Sequence, residues 1–89
     1  MNVRRSPRCL IHEPAAYRIR VRGRMQQEWS ERLQGMTIAT ILNADEEPVT
    51  ELSGVLPDQA ALMGVLQQLY TCGAPLLSVE YLGSGNEEV

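Results

Sequence analysis

Tyr17-Arg18-Ile19-Arg20-Val21-Arg22-Gly23 is the stretch on which the fold of this 89-residue chain turns. Apolar and cationic residues alternate one for one, the signature of a strand that buries one face and wets the other. Tyr17, Ile19 and Val21 are expected to face a core, the three arginines to face away, and Gly23 to end the strand. Downstream, Met25, Trp29 and Leu33 recur every four residues, one stripe of a short helix that stops at Gly35. Met36 to Leu42 returns to strand rhythm, with Met36 and Ile38 inward and Leu42 in the same phase. Asn43 to Pro48 is an acidic turn of the kind that joins a hairpin. Val49 to Leu56 then reads as a third strand, with Leu52 and Leu56 inward.

The second helix carries the strongest signals. Asp58 after Pro57 is a natural N-cap, its carboxylate suited to the positive end of a helix. Leu62, Val65, Leu66 and Leu69 form the buried stripe, with Met63, Gln67 and Thr71 exposed. Gly73 and Pro75 end it. Gly64 is expected to permit close approach to the first helix or the sheet. In a last strand Leu77, Val79 and Tyr81 are expected to point inward.

Strand–helix–strand–strand–helix–strand is two split β-α-β units end to end. Handedness and short connections favour an α+β, ferredoxin-like βαββαβ two-layer sandwich. Its four-stranded antiparallel sheet has the order 4-1-3-2, with two helices on one face. Arg18, Arg20 and Arg22 would then look away from the helices, flanked by Glu51 and Ser53 on strand three and by Ser78 and Glu80 on strand four. Opposite charges on neighbouring strands attract, so an internal Arg–Glu lattice is the plain structural reading of the arginine row.

The same segments carry a resemblance. Tyr17 to Gly23, Trp29-Ser30-Glu31, Leu56-Pro57-Asp58-Gln59-Ala60-Ala61-Leu62, Gly64 and Pro75-Leu76-Leu77-Ser78-Val79-Glu80 resemble a widespread set of short, stand-alone bacterial proteins of unassigned function. The resemblance spans roughly Tyr17 to Leu82 and implies a bacterial domain without bringing an activity. It also implies that many members carry His where this chain has Met63.

Length and composition narrow the rest. Eighty-nine residues make one small domain, and a chain of this size buries only about 60–65% of its unfolded surface, too little to spare for an enclosed cavity. The expected organisation is a flexible basic arm over 1–16, one domain over 17–82 and a flexible acidic tail over 83–89. No apolar run approaches the ~20 residues of a membrane helix. Cys9 and Cys72 are too few for a disulfide scaffold, so a cytoplasmic protein is expected. All eight basic residues are Arg, which GC-rich codon usage explains. Seven of them lie in residues 1–24 against Glu13 alone, whereas the remainder holds Arg32 against ten acids.

Candidate chemistry is sparse. His12 is the single histidine and neither cysteine has a partner at ligand spacing, so no metal is expected. Cys72, in the last turn of a helix, would have its thiol pKa raised and reads as a small packing residue. Asp45-Glu46-Glu47 lies in a turn and Glu87-Glu88 in a tail, with no pocket to separate their pKa values. No phosphate-binding glycine loop precedes a helix. No catalytic residue, cofactor or enzymatic activity is therefore assigned. Recognition of RNA on such a sheet needs outward aromatics. Here Tyr17 and Tyr81 share the core phase, and Glu51 and Glu80 would repel phosphates, so nucleic acid is disfavoured as a partner.

Ala39, Ile41, Val55 and Leu82 fall in the outward phase beside the arginine row. A mixed apolar and charged open face suits a protein partner. The expectation is a protein-interaction or regulatory module that self-associates as a dimer or binds another protein. It would do so through Arg18, Arg20, Arg22, Ala39, Ile41, Glu51, Val55, Glu80 and Leu82, or through edge strand two or four. Two other readings are a nucleic-acid-binding module using the N-terminal arm and the Arg row, and a regulatory domain sensing a small metabolite at a dimer seam.

Overall fold

The computed structural model describes residues 12–84. Strand β1 (Ala15–Arg22) leads through a 3₁₀ helix (Gln27–Leu33) to β2 (Thr37–Leu42) and β3 (Pro48–Leu56), then helix α1 (Gln59–Thr71) and β4 (Leu76–Ser84). The sheet runs β2-β3-β1-β4 with every pairing antiparallel, the order expected from the sequence. Its strand–helix rhythm and both helices are those of the ferredoxin-like layout. The arm and tail expectations fall largely on residues 1–11 and 85–89, outside the described residues. Within them, β1 begins at Ala15, itself buried, and β4 reaches Ser84.

One core cluster explains why both helices share a face. Tyr17, Ile19 and Val21 of β1, Ile38 of β2, and Leu52 and Leu56 of β3 meet Leu33 of the 3₁₀ helix and Leu62, Val65 and Leu69 of α1. Fully burying a side chain of this size contributes about 1.5–3 kcal/mol relative to leaving it exposed. Thr50 follows the same period-two phase as Leu52 and is fully buried. It stays in the apolar layer because its hydroxyl donates to the Gly23 carbonyl and accepts from the Met25 amide, so no polar group is stranded.

The first helix is tighter than its four-residue stripe predicts. A 3₁₀ helix has three residues per turn, so Gln27, Ser30 and Leu33 share a face. Gln27 Nε2 donates to the Ile38 carbonyl at 3.0 Å, Ser30 Oγ donates to the Met36 carbonyl at 2.8 Å, and Leu33 is fully buried. Met25 precedes the helix, and Trp29 sits half-buried at the core margin with the Arg32 guanidinium 5.1 Å from its ring centroid. Gln34 and Gly35 both take left-handed conformations and turn the chain into β2.

Helix α1 begins and ends as its sequence dictates. Asp58 Oδ1 accepts from the Ala61 amide at 2.9 Å, and Gly73, at φ 79°, reverses the chain after Cys72. Two expectations on this helix need correction. A Cβ on Gly64 would meet nothing within 4 Å, so the residue faces open space and permits no close approach. Cys72 is exposed, its Sγ 3.5 Å from the Leu69 carbonyl, and it packs into nothing.

Candidate interaction surface

The face of the sheet opposite the helices is organised in rows set by strand register. Arg18 lies between Ser53 and Glu80, and Arg20 between Glu51 and Ser78, the neighbours expected from the sequence. Arg18 Nη1 donates to Glu80 Oε1 at 2.9 Å, and Arg18 Nε lies 3.5 Å from Glu51 Oε2. Arg20 donates to that same Glu51 oxygen from Nε at 3.0 Å and Nη2 at 2.8 Å. Glu51 is thus the hinge of the lattice, serving two arginines from the less exposed position. Arg22 reaches Glu47 at 3.7 Å, a looser and more exposed pair. The hydrogen bond that Arg18 donates to Glu80, followed by the Glu80 charge, raises the Arg18 pKa above the ordinary guanidinium value; desolvation opposes this and the Glu51 charge adds a lesser push upward.

Apolar residues flank this lattice. Ala39 lies beside Glu51, Ile41 beside Val49, and Val55 beside Ala16. Ala39, Ile41 and Val55 are exposed, whereas Val49 is only 4% exposed yet stands outside the core cluster. Register places it between Arg22 and Ile41 on the open face. Nothing in the sequence marks Val49 as buried, because Leu52 and Leu56 set the strand's inward phase and Val49 falls on the other one. Leu42, on the inward phase, is nevertheless 60% exposed.

Strand β4 departs most from expectation. Val79 pairs with the fully buried Ile19, and Tyr81 with Tyr17, so both hold the inward phase. They are nevertheless 39% and 53% exposed. Helix α1 packs on β3 and the 3₁₀ helix and leaves this edge uncovered. The Tyr17 and Tyr81 rings meet edge to face at 5.8 Å, which anchors the strand at one point. Leu77 does not join Val79 and Tyr81 in the inward pairing expected of it, because Leu76 is the residue opposite Val21. Leu77 and Leu82 have no partner in β1, each marking a β-bulge. Leu82 is therefore exposed at a kink rather than within the open-face rows. Between the bulges, Ser78 Oγ is buried and has no hydrogen-bond partner.

The remaining candidates are scattered. Asn43 Oδ1 accepts from the amides of Asp45 and Glu47, so this side chain builds the hairpin turn and turns its acids to solvent. A shallow depression between the β1–helix loop and the α1–β4 turn is lined by Arg22, Arg24, Met25, Trp29 and Cys72, among others. Among the described residues no three His, Cys, Asp or Glu side chains gather closely enough to hold a metal ion. Among the described residues no helix is long and apolar enough to cross a membrane.

Neither the curated proteins nor the solved structures contain a match to this chain. Residues 16–80 match the family described as Domain of unknown function (DUF8691). That span takes in every member of the arginine–glutamate lattice, and the chain belongs to this family.

Proposed function

We propose that this chain is a self-associating protein-interaction module and that β4 is the edge through which copies join. The observation that carries the reading is the exposure of Val79 and Tyr81 on the core phase of an edge strand, opposite buried partners. Leu76 and Leu77 are also more than half exposed, so exposed apolar side chains recur along the strand from Leu76 to Leu82. An uncovered edge of this length offers unpaired N–H and C=O groups to another strand, and natural proteins rarely leave one bare. The β2 edge is shorter, at six residues, and only its Leu42 end is broadly apolar.

The open face supports the same choice of partner class. Its guanidinium groups are engaged by Glu47, Glu51 and Glu80, which lowers their availability to phosphates and favours protein over nucleic acid. The absence of a visible nucleophile or poised acid–base pair in the sequence supports a non-enzymatic role. The resemblance to short bacterial proteins and the Arg-only basic set support a bacterial, cytoplasmic setting.

Light scattering and sedimentation at 1–100 micromolar test the proposal, with the concentrations spanning the affinities common to protein pairs, roughly Kd 1 μM and below. A dimer is expected, and Val79→Lys should convert it to a monomer with an unchanged far-UV spectrum. A wild-type chain that is monomeric throughout that range would overturn the proposal.

A further inference from the structure

We infer that the second copy joins β4 antiparallel in one register, with the two-fold axis passing through Val79. The inference rests on the β4 reading above and specifies its partner residue by residue. Between the bulges at Leu77 and Leu82, only Ser78, Val79, Glu80 and Tyr81 alternate regularly, Ser78 and Glu80 on the open face and Val79 and Tyr81 on the helix face. A two-fold axis perpendicular to the sheet keeps the helices of both copies on one side, and it pairs residues equally spaced about its centre.

Charge and shape discriminate among the four possible centres. Centring on Glu80 would set two carboxylates directly opposite each other, which is destabilising. Centring on Ser78 would oppose Glu80 to Leu76, a residue of the other face, and Tyr81 to Pro75, which has no N–H to donate. Centring on Tyr81 would set Glu80 against the bulged Leu82 and Val79 against Gly83, burying a carboxylate beside an apolar side chain. With the centre on Val79, the two Val79 side chains meet, Tyr81 lies opposite Leu77, and Glu80 lies opposite Ser78.

That last pair answers an open question in the single copy. Ser78 Oγ is a buried hydroxyl with no acceptor, flanked by Arg20. Neighbouring strands lie about 4.8 Å apart, so one χ1 step of Ser78 brings its hydroxyl to the partner's Glu80. The row Glu51–Arg20–Ser78 of one copy then runs on into the Glu80–Arg18 pair of the other. Opposite charges alternate across the joint, and the two-fold axis makes the arrangement twice over.

Single-cysteine chains, with Cys9 and Cys72 replaced by Ser, test the register under mild oxidation. Directly opposed residues have Cα atoms about 4.5–5.5 Å apart, within disulfide reach. Val79→Cys is expected to cross-link to itself. Ser78→Cys and Glu80→Cys are each expected to stay uncross-linked alone and to give a mixed disulfide when combined. Self-cross-linking of Glu80→Cys or Ser78→Cys would overturn the register while leaving the β4 edge intact. A dimer by light scattering that cross-links at none of residues 78–81 would overturn both the register and the β4 proposal.

Discussion

The Thr50 hydroxyl donates to the Gly23 carbonyl at 2.6 Å while accepting from the Met25 amide at 3.0 Å, so one buried side chain on β3 fixes the loop leaving β1. Thr50→Val preserves the shape and leaves both part-buried backbone groups without their side-chain partner. The loss is expected at about 1–3 kcal/mol, the cost of unsatisfied buried partners. It should lower the urea midpoint at an unchanged slope, and Thr50→Ser, which keeps the hydroxyl, should lose less.

Gly64 lies in the middle of α1, faces open space and carries no positive φ. Gly64→Ala should therefore stabilise the fold by roughly 0.5–1 kcal/mol, through helix propensity and a more restricted unfolded chain. Gly73→Ala should act in the opposite direction, because φ is 79° there. Parallel thermal melts of the two variants check the sign of each.

Arg18 gives a pH prediction. A base whose pKa is raised on folding contributes stability that is complete below its unfolded value and is lost as pH rises through the folded one. The unfolded guanidinium already stays protonated far into the alkaline range, and Glu80 moves the folded value higher still. The stability difference between wild type and Arg18→Gln should consequently be the same at pH 7 and pH 10. Denaturant titrations at those two values would reveal any alkaline decline.

The sequence carried the sheet order and the arginine neighbours because both depend on backbone periodicity. Period-two alternation in residues 17–22 fixes which side chains share a face, and antiparallel topology then places Glu51 and Glu80 beside Arg20 and Arg18. What it did not carry depends on coverage. The inward phase of Val79 and Tyr81 is legible, but their exposure follows from where α1 comes to rest, and no pattern within β4 encodes that. The bulges at Leu77 and Leu82 escaped for a related reason, since an inserted residue looks like continued alternation until the partner strand is known. The 3₁₀ helix was obscured by Met25, Trp29 and Leu33, whose four-residue spacing competed with the three-residue spacing of Gln27, Ser30 and Leu33. Thr50 could have been found, since counting back two from Leu52 puts it on the buried side.

The central position of β1 sets a schedule for the chain. This strand is synthesised before any other element described, yet it lies between β3 and β4, and its earliest partner is Val49, opposite Arg22. Only the β2–β3 hairpin can close from neighbouring residues, around the turn built by Asn43. The most regular apolar stripe of the sequence must wait unpaired until that hairpin exists to receive it. Such long-range closure slows folding relative to a helical domain of equal length. The nascent chain thus passes through an interval in which Ile19 and Val21 have no strand to pair with.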